Sequence, residues 1–436
     1  MTRVFQDADR APQPKQRIFS SLANRDFRYL WFGSMAASFA MQMQMVARGW
    51  LIYEMTQSPI QLAWVIMSFS LPMILFSLFG GVAADRLTKK SVMVASQFAN
   101  CLGTFALAGI VITGNIEFWH FIVFGLFNGA IMSFSMPARQ AVIPEIVGDD
   151  QLVNAVALNS ATMNLSRVLG PAIAGVVIAV LAGGDTSSQF AVGVVFMMNA
   201  FLYLISVVTI MVLRHQGRST LDKRGTIFGD VGDGFRYIWR HDLLRGLILM
   251  TFVPLIFGFP MQTLMPVFNH DVLGGGPGDL GVLMSVMGAG AIVGSFILAR
   301  LSGSEHKGAI LFATAFAWAL FVGAFAVSKT LWLAMAACAL TGLTSSLFMS
   351  LHMSVVTLIT EPEMRGRVMS IMMMTFGLMP VGALPVSYFA ETIGIDIALL
   401  GCAAGLAVLT LVLMILVPGL RSIDVTRKAP LVAQRS

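Results

Sequence analysis

Charge is what this chain has least of. Asp, Glu, Lys and Arg make up 11% of its 436 residues, where a soluble domain carries about 25%. The acidic residues are further restricted, because none falls in the middle of a long apolar run: Asp85 stands at the edge of one, and Glu54, Asp271 and Glu391 near the edges of others. Cysteine is almost absent. Cys101, Cys338 and Cys402 all lie inside apolar runs with no motif spacing between them, which excludes a disulfide framework or a zinc site and leaves small buried apolar residues. There is no phosphate loop, no H-E-x-x-H, no G-x-S-x-G elbow and no Cys/His metal spacing. The chain is therefore not expected to be an enzyme, to hold a cofactor or metal, or to hydrolyse ATP. The segment from Met1 to Arg28 has six basic residues and no cleavable apolar region, so it reads as a tail and not as a signal peptide.

What is present in quantity is apolar sequence. Hydrophobic residues are 57% of the chain and the mean hydropathy is +0.80. Apolar runs repeatedly reach the roughly 20 residues that cross a hydrocarbon core. A β-barrel would show short alternating segments instead. The expected fold is an all-α integral membrane protein with twelve transmembrane helices in two pseudo-symmetric six-helix halves. The spans fall near 27–53, 59–84, 91–113, 118–136, 154–182, 189–213, 243–268, 279–302, 308–327, 330–358, 368–392 and 395–417. Longer connections are expected at 137–153 and 214–242.

Basic residues orient these spans. Of the 28 Lys and Arg residues, 25 fall on one side, Lys329 lies opposite, and Arg48 and Arg167 lie within spans. By the positive-inside rule both termini are cytoplasmic, and the net charge of +6 needs no nucleic-acid partner. The expected divisions are a tail at 1–26, a first half at 27–213, a linker at 214–242, a second half at 243–417 and a tail at 418–436. The expected location is the inner or plasma membrane, with a lipid bilayer as surroundings and a monomer as the unit.

One short stretch concentrates the missing charge. Gly80-Gly81-Val82-Ala83-Ala84-Asp85-Arg86-Leu87-Thr88-Lys89-Lys90 joins two apolar runs. A carboxylate at a helix end can pair with arginine and with a neighbouring helix N-terminus. Gly81, Asp85, Arg86, Lys89 and Lys90 then form a cytoplasmic gate that holds in one state and breaks in another. The plainer reading is a set of anchors in lipid headgroups. The second half carries an acid-less echo, Gly294-Ser295-Phe296-Ile297-Leu298-Ala299-Arg300. Gly170, Pro171, Gly175 and Pro380 stand in the corresponding spans 5 and 11 and mark backbone that bends or packs closely.

The G-x-x-x-D-R-x-x-K-K spacing resembles the signature loop of the major facilitator superfamily, except that Thr88 stands where that family usually has glycine. The resemblance extends along most of the chain. It includes Arg48-Gly49-Trp50, Met136-Pro137-Ala138-Arg139, Asn164-Leu165-Ser166-Arg167-Val168-Leu169-Gly170-Pro171, Asp271-Val272-Leu273-Gly274-Gly275 and Arg365-Gly366-Arg367-Val368. Together these look like the drug-efflux branch, with its multidrug and siderophore exporters. Gly170-Pro171-Ala172-Ile173-Ala174-Gly175 is similar, in part, to that branch's antiporter motif. The resemblance implies export of a small amphiphilic molecule by alternating access with proton antiport. Two rivals stand beside it: a carrier of one metabolite such as a siderophore, and a membrane sensor or partner-binding protein that moves nothing.

The polar residues inside spans are the candidate cavity. Gln42, Gln44, Asn128, Asn164 and Arg167 lie where an amide or charge needs a partner or water. Arg167 is about 20 Å into its helix at 1.5 Å per residue. It reads either as a substrate-anion or coupling residue, or as a tie to carbonyls or to Asn128, Asn159 or Asn164. Arg48 reads as an outer-side structural residue near Glu54. His215, His241, His270, His306 and His352 lie near span ends or in polar segments and are not expected to relay protons. Met41, Met43, Met45 and Met372 to Met374 are either an adaptable lining or gap-filling packing. Two arginines without a carboxylate favour a neutral, amphiphilic or anionic substrate over a purely cationic one.

Overall fold

The computed structural model describes residues 19–185, 187–217, 227–301, 304, 306–421 and 423, and within helices it leaves out the side chains of 77–86, 149, 227–231, 373 and 376. Every regular element among the described residues is a helix. Helix α1 is Arg25–Thr56, α2 Pro59–Arg86 and α3 Lys89–Ile112. Helix α4, Phe118–Ala182, is two arms, because Gly148 at φ 68°, ψ 172° interrupts it. These arms are α4a, Phe118–Gly148, and α4b, Asp150–Ala182. Next come α5 (Gln189–Met211), α6 (Ile227–Arg240), α7 (Asp242–Phe257), α8 (Pro260–Thr263), α9 (Met265–Asp271), α10 (Pro277–Leu301), α11 (Lys307–Ala326), α12 (Leu331–Ile359), α13 (Arg365–Phe376), α14 (Met379–Ile393) and α15 (Ile395–Leu416).

Ten of these stretches are long and apolar enough to cross a membrane. The other two expected spans correspond to α1, which carries Arg48 and Glu54, and to the interrupted pair α13 and α14. Local signals account for several boundaries. Asn24 caps α1, its side chain accepting from the backbone N–H groups of Asp26 and Phe27, which satisfies donors a helix start leaves open. Ser188 caps α5 through the N–H of Ala191. Gly394 at φ +100° turns the chain between α14 and α15, a conformation that favours glycine.

Two expectations need correction. The connection expected at 137–153 is helical on both sides of the Gly148 break, although Pro137 and Pro144 lie in it. Each proline removes one backbone hydrogen bond, which packed neighbours in a bundle offset. Gly170-Pro171, expected to mark backbone that bends or packs closely, lies within a helix, where a Cβ on Gly170 would fall 2.7 Å from the Gln42 Cβ; the interruption in α4 is at Gly148. The span expected at 243–268 is three pieces, with Pro254 inside α7 and Pro260 and Pro266 opening α8 and α9. The break expected near Pro380 is present, since α13 ends at Phe376 and Pro380 opens α14. The polar stretch 214–242 also contains a helix of its own, α6.

The helices pack as two groups. In the first, α1 lies against α4 and α5, α2 against α4, and α3 against α5; in the second, α10 lies against α12, and α11 against α12 and α15. The groups meet chiefly where α4 packs on α10 and α2 on α14. One end of the bundle holds Lys89, Lys307 and Arg365 and is called the basic end below; Asp271 and Glu391 lie at the opposite end.

Candidate functional site

The site is built on one stripe of α4b. Val153, Val156, Ala157, Ser160, Met163, Asn164, Arg167, Pro171, Ala174, Gly175 and Ile178 recur at three- and four-residue spacing, which is one face of a helix. The upper part of this stripe is buried at Pro171, Ala174, Gly175 and Ile178. There α4b touches α10 backbone to backbone: a Cβ built on Gly175 would sit 2.9 Å from the Gly281 Cα, and one on Gly281 only 2.6 Å from the Pro171 carbonyl. The lower part of the same stripe is uncovered. Val153, Val156, Ala157, Ser160, Met163 and Arg167 are all exposed, and Asn164 is half-buried. The two groups therefore close together at the Asp271 end and part along α4b toward the basic end.

Arg167 stands where closure gives way to opening. Its backbone and Cγ pack on Gly288 of α10. Three residues on, a Cβ on Gly170 would meet the Gln42 Cβ of α1 at 2.7 Å. Helical geometry puts Arg167 about 60° from Gly170 on one side and about 40° from Pro171 on the other, at roughly 100° per residue. The side chain thus projects between the direction of α1 and that of α10, into the bundle. The outward face of α4b is a different one, carried by exposed Ile173, Val176 and Val180. Among the described residues Arg167 has no ion pair or hydrogen bond, so the tie to Asn128, Asn159 or Asn164 is not made there.

The other cavity candidates divide into two kinds. Gln44 is buried and accepts from the Tyr203 hydroxyl at 3.3 Å, and buried Asn128 donates to the Asn100 side chain at 2.9 Å. These two hold the first group together. Gln42 and Asn164 are half-buried; Gln42 packs its Cβ against Gly170, and Asn164 lies on the α4b stripe. Of the methionines, Met43 is buried, Met41 is half exposed, and the Met45 sulfur receives the Gln262 amide of α8 at 3.9 Å. Gln262 belongs to the second group, in a segment that read as an ordinary span. Arg48 is half-buried, and no carboxylate pairs with it among the described residues. Arg139, expected in a loop, lies on α4a and donates to the Ser34 hydroxyl at 3.1 Å. His352 is buried within the second group, its Nε2 2.9 Å from the Leu247 carbonyl.

The charged turn at the basic end is tied within the first group. The side chains of Gly81, Asp85 and Arg86 lie outside the described residues, though the α2 backbone runs through Arg86. Lys89 pairs with Glu145 of α4a, which also meets His215 at 3.0 Å. Lys90 donates to the Leu213 carbonyl at 2.6 Å. The Asp26 carboxylate receives the N–H of His215 at 2.8 Å. Thr88 caps α3 at φ −66°, ψ 127°, a conformation open to any L-residue, so this turn does not require the glycine of the resembled pattern. On the other group, Arg367 of α13 lies 3.4 Å from Asp233 of α6. Burial pushes the Tyr237 phenol of α6 up, and its oxygen accepts from the Glu361 N–H at 3.4 Å.

The opposite end is closed by polar contacts between the groups that span-by-span reading missed. The Tyr53 hydroxyl donates to Asp271 at 2.5 Å. The Ser58 hydroxyl donates to Glu391 at 2.6 Å, and the Ile60 N–H at 3.2 Å. His270 lies 2.8 Å from Asp271 and 3.9 Å from Glu54, with its ring against Tyr53 and Trp50. Their only sequence signal was polar residues clustered at the ends of apolar runs.

Comparison with known proteins fits this geometry. Residues 17–435 match the family described as transmembrane secretion effector. The multidrug efflux pump Tap of Mycolicibacterium fortuitum is 24% identical over 91% of this chain and 97% of its own. A staphyloferrin A transporter of Staphylococcus aureus is 23% identical over 80% of this chain and 86% of its own. The macrolide efflux protein A of Streptococcus pyogenes is 21% identical over 85% and 90%. The solved nucleoside transporter NupG superposes with a TM-score of 0.73 at 13% identity, covering 90% of this chain and 98% of that one. A bacterial homologue of the lysosomal transporter Spinster, inward-facing and occupied, gives 0.72 at 12% identity over 93% and 98%. Transporters of this fold are not enzymes. The chain belongs to the transmembrane secretion effector family of the major facilitator superfamily of membrane transporters.

Proposed function

We propose that this protein exports a small amphiphilic compound from the cytoplasm by alternating access, driven by proton antiport. The observation that carries the reading is the α4b stripe, closed against α10 at one end and uncovered at the other. A carrier needs a cleft of that kind, with a contact at the sealed end that can be broken. The basic end is then the cytoplasmic one, with both termini there, in keeping with the distribution of lysine and arginine. The halves are 27–213 and 243–417, α6 belongs to the linker, and the unit is a monomer. Gly81, Asp85, Arg86, Lys89 and Lys90 act as the cytoplasmic gate. Efflux names among the relatives support export of drug-like molecules. The staphyloferrin A transporter supports the second reading, a dedicated siderophore carrier.

The test is uptake of a panel of amphiphilic dyes and drugs into everted vesicles, with a pH gradient imposed and then collapsed. At least one compound is expected to accumulate only while the gradient stands. Asp85→Asn is expected to lower that uptake about ten-fold, the size of effect expected when a gate loses one charge. If nothing in the panel moves and Asp85→Asn changes nothing, the protein is a sensor or partner-binding component.

A further inference from the structure

Among the described residues Arg167 is a cation without a counter-charge, at the head of the uncovered part of the α4b stripe. It stands near the midpoint of the 33-residue arm α4b, at the closed end of the cleft, and it projects between α1 and α10. Among the described residues the acids lie in connections, on α6 or near the ends of the other helices, and none stands at the depth of Arg167. Among the described residues no carboxylate approaches it, and it makes no hydrogen bond. A second arginine, Arg48, is half-buried on α1 about 9 Å beyond Gln42 at 1.5 Å per residue, again with no carboxylate partner among the described residues. The third, Arg139, is engaged with Ser34 and is not available.

We propose that the cargo is an amphiphilic organic carboxylate, gripped by the Arg167 guanidinium, with Arg48 supplying a further positive charge toward the sealed end. This rests on the transport reading above and names its substrate class. A guanidinium stays charged at any working pH, and its planar fork of N–H donors matches a carboxylate two bonds at a time. A charge at this depth is tolerated where it meets water or an opposite charge, so an anionic cargo is favoured over a neutral one and a cation is repelled. The surroundings suit the rest of such a molecule. Val156, Ala157 and Met163 line the same face of α4b, and on α1 Met45, which meets Gln262 of the second group, shares a face with Met41 four residues before it. Unbranched thioethers adapt to bodies of different shape, so the head group is selected more sharply than the tail.

Three probes with one body decide the matter: 1-pyrenebutyrate, its neutral amide and its trimethylammonium counterpart. Binding to the full chain in zwitterionic nanodiscs is read by pyrene fluorescence against protein-free discs. The wild type is expected to bind the carboxylate about ten-fold more tightly than the amide, since one charge-assisted pair is the difference, and the cation more weakly still. Arg167→Gln is expected to abolish that preference, while Arg167→Lys, which keeps the charge without the fork, retains part of it. A thermal melt identifies a variant that fails to fold, in which case the wild-type comparison and Arg167→Lys decide. The proposal is overturned if the wild type does not bind the carboxylate, binds amide or cation as tightly, or keeps its preference in Arg167→Gln. No flux is measured, so failure of the transport reading in vesicles and failure of the charge preference in discs are separate results.

Discussion

At the scale of single residues, the contacts that seal the Asp271 end are few and directional. Tyr53 donating to Asp271 is a hydrogen bond to a carboxylate across the two groups, of a kind that contributes about 1.5–3 kcal/mol. Asp271→Asn is expected to give up much of that and to shift the population toward an open Asp271 end roughly ten-fold. Spin labels at the exposed positions Gln57 and Thr392 would report it as a longer distance, and an unchanged distribution would contradict it. Single residues were legible in the sequence where they broke a local pattern. Arg167 stood out as a charge in an apolar run, and it lies on the uncovered part of the α4b stripe. Gln44 and Asn128 stood out for the same reason but are spent on Tyr203 and Asn100, because an amide in a span signals only the need for a partner. Glu145, the partner of Lys89, is 56 positions away and lay in what read as a loop. Nothing in its neighbourhood marks it.

At the scale of helices, glycines decide where the backbone breaks and where it touches. Gly148 has φ 68° and ψ 172°, a region open essentially only to glycine, where another residue stores about 1–3 kcal/mol. Gly148→Ala is accordingly expected to lower the thermal midpoint of the purified protein while leaving its helix content unchanged; an unaltered midpoint would show that the turn can relax. Gly175 has no room for a side chain against Pro277 and Gly281. Gly175→Leu is expected to wedge α4b from α10 and to cut turnover about ten-fold or more, as a packing insertion costing roughly 1–3 kcal/mol would. Turnover at the wild-type rate would place the functional contact elsewhere. The lengths of apolar runs were enough to locate most of the helices. They were not enough to locate interruptions: the break at Gly148 lay in what read as a loop, and Pro260 and Pro266 open new helices inside what read as one span. A proline signals a missing hydrogen bond, and neighbours in space, absent from local sequence, determine whether the helix continues.

At the scale of the whole molecule, an all-helical membrane bundle was legible because long apolar runs recur along the chain. Which end is closed was not legible, since it depends on contacts such as Ser58 with Glu391, 333 positions apart. That contact offers a direct experiment. Ser58→Cys with Glu391→Cys, oxidised, is expected to hold the Asp271 end shut and stop transport, with reduction restoring it; transport that continues through the cross-link would mean that this end need not open. Cys101, Cys338 and Cys402 are buried, so they do not compete for the oxidant.

On the transport reading proposed above, the arginines that lack a carboxylate partner among the described residues would also make the cycle sensitive to voltage. A unit charge carried across a full bilayer is worth about 2.3 kcal/mol per 100 mV, and some fraction of that acts on Arg48 and Arg167 whenever the cleft changes sides. With an inside-negative potential, the empty carrier, positive at its centre, is drawn toward the cytoplasm-open form, ready to load. Once a carboxylate is seated, one of the two charges is cancelled and the pull weakens. The same two side chains that select the cargo would thus let the membrane's electric field distinguish a loaded carrier from an empty one and speed its return.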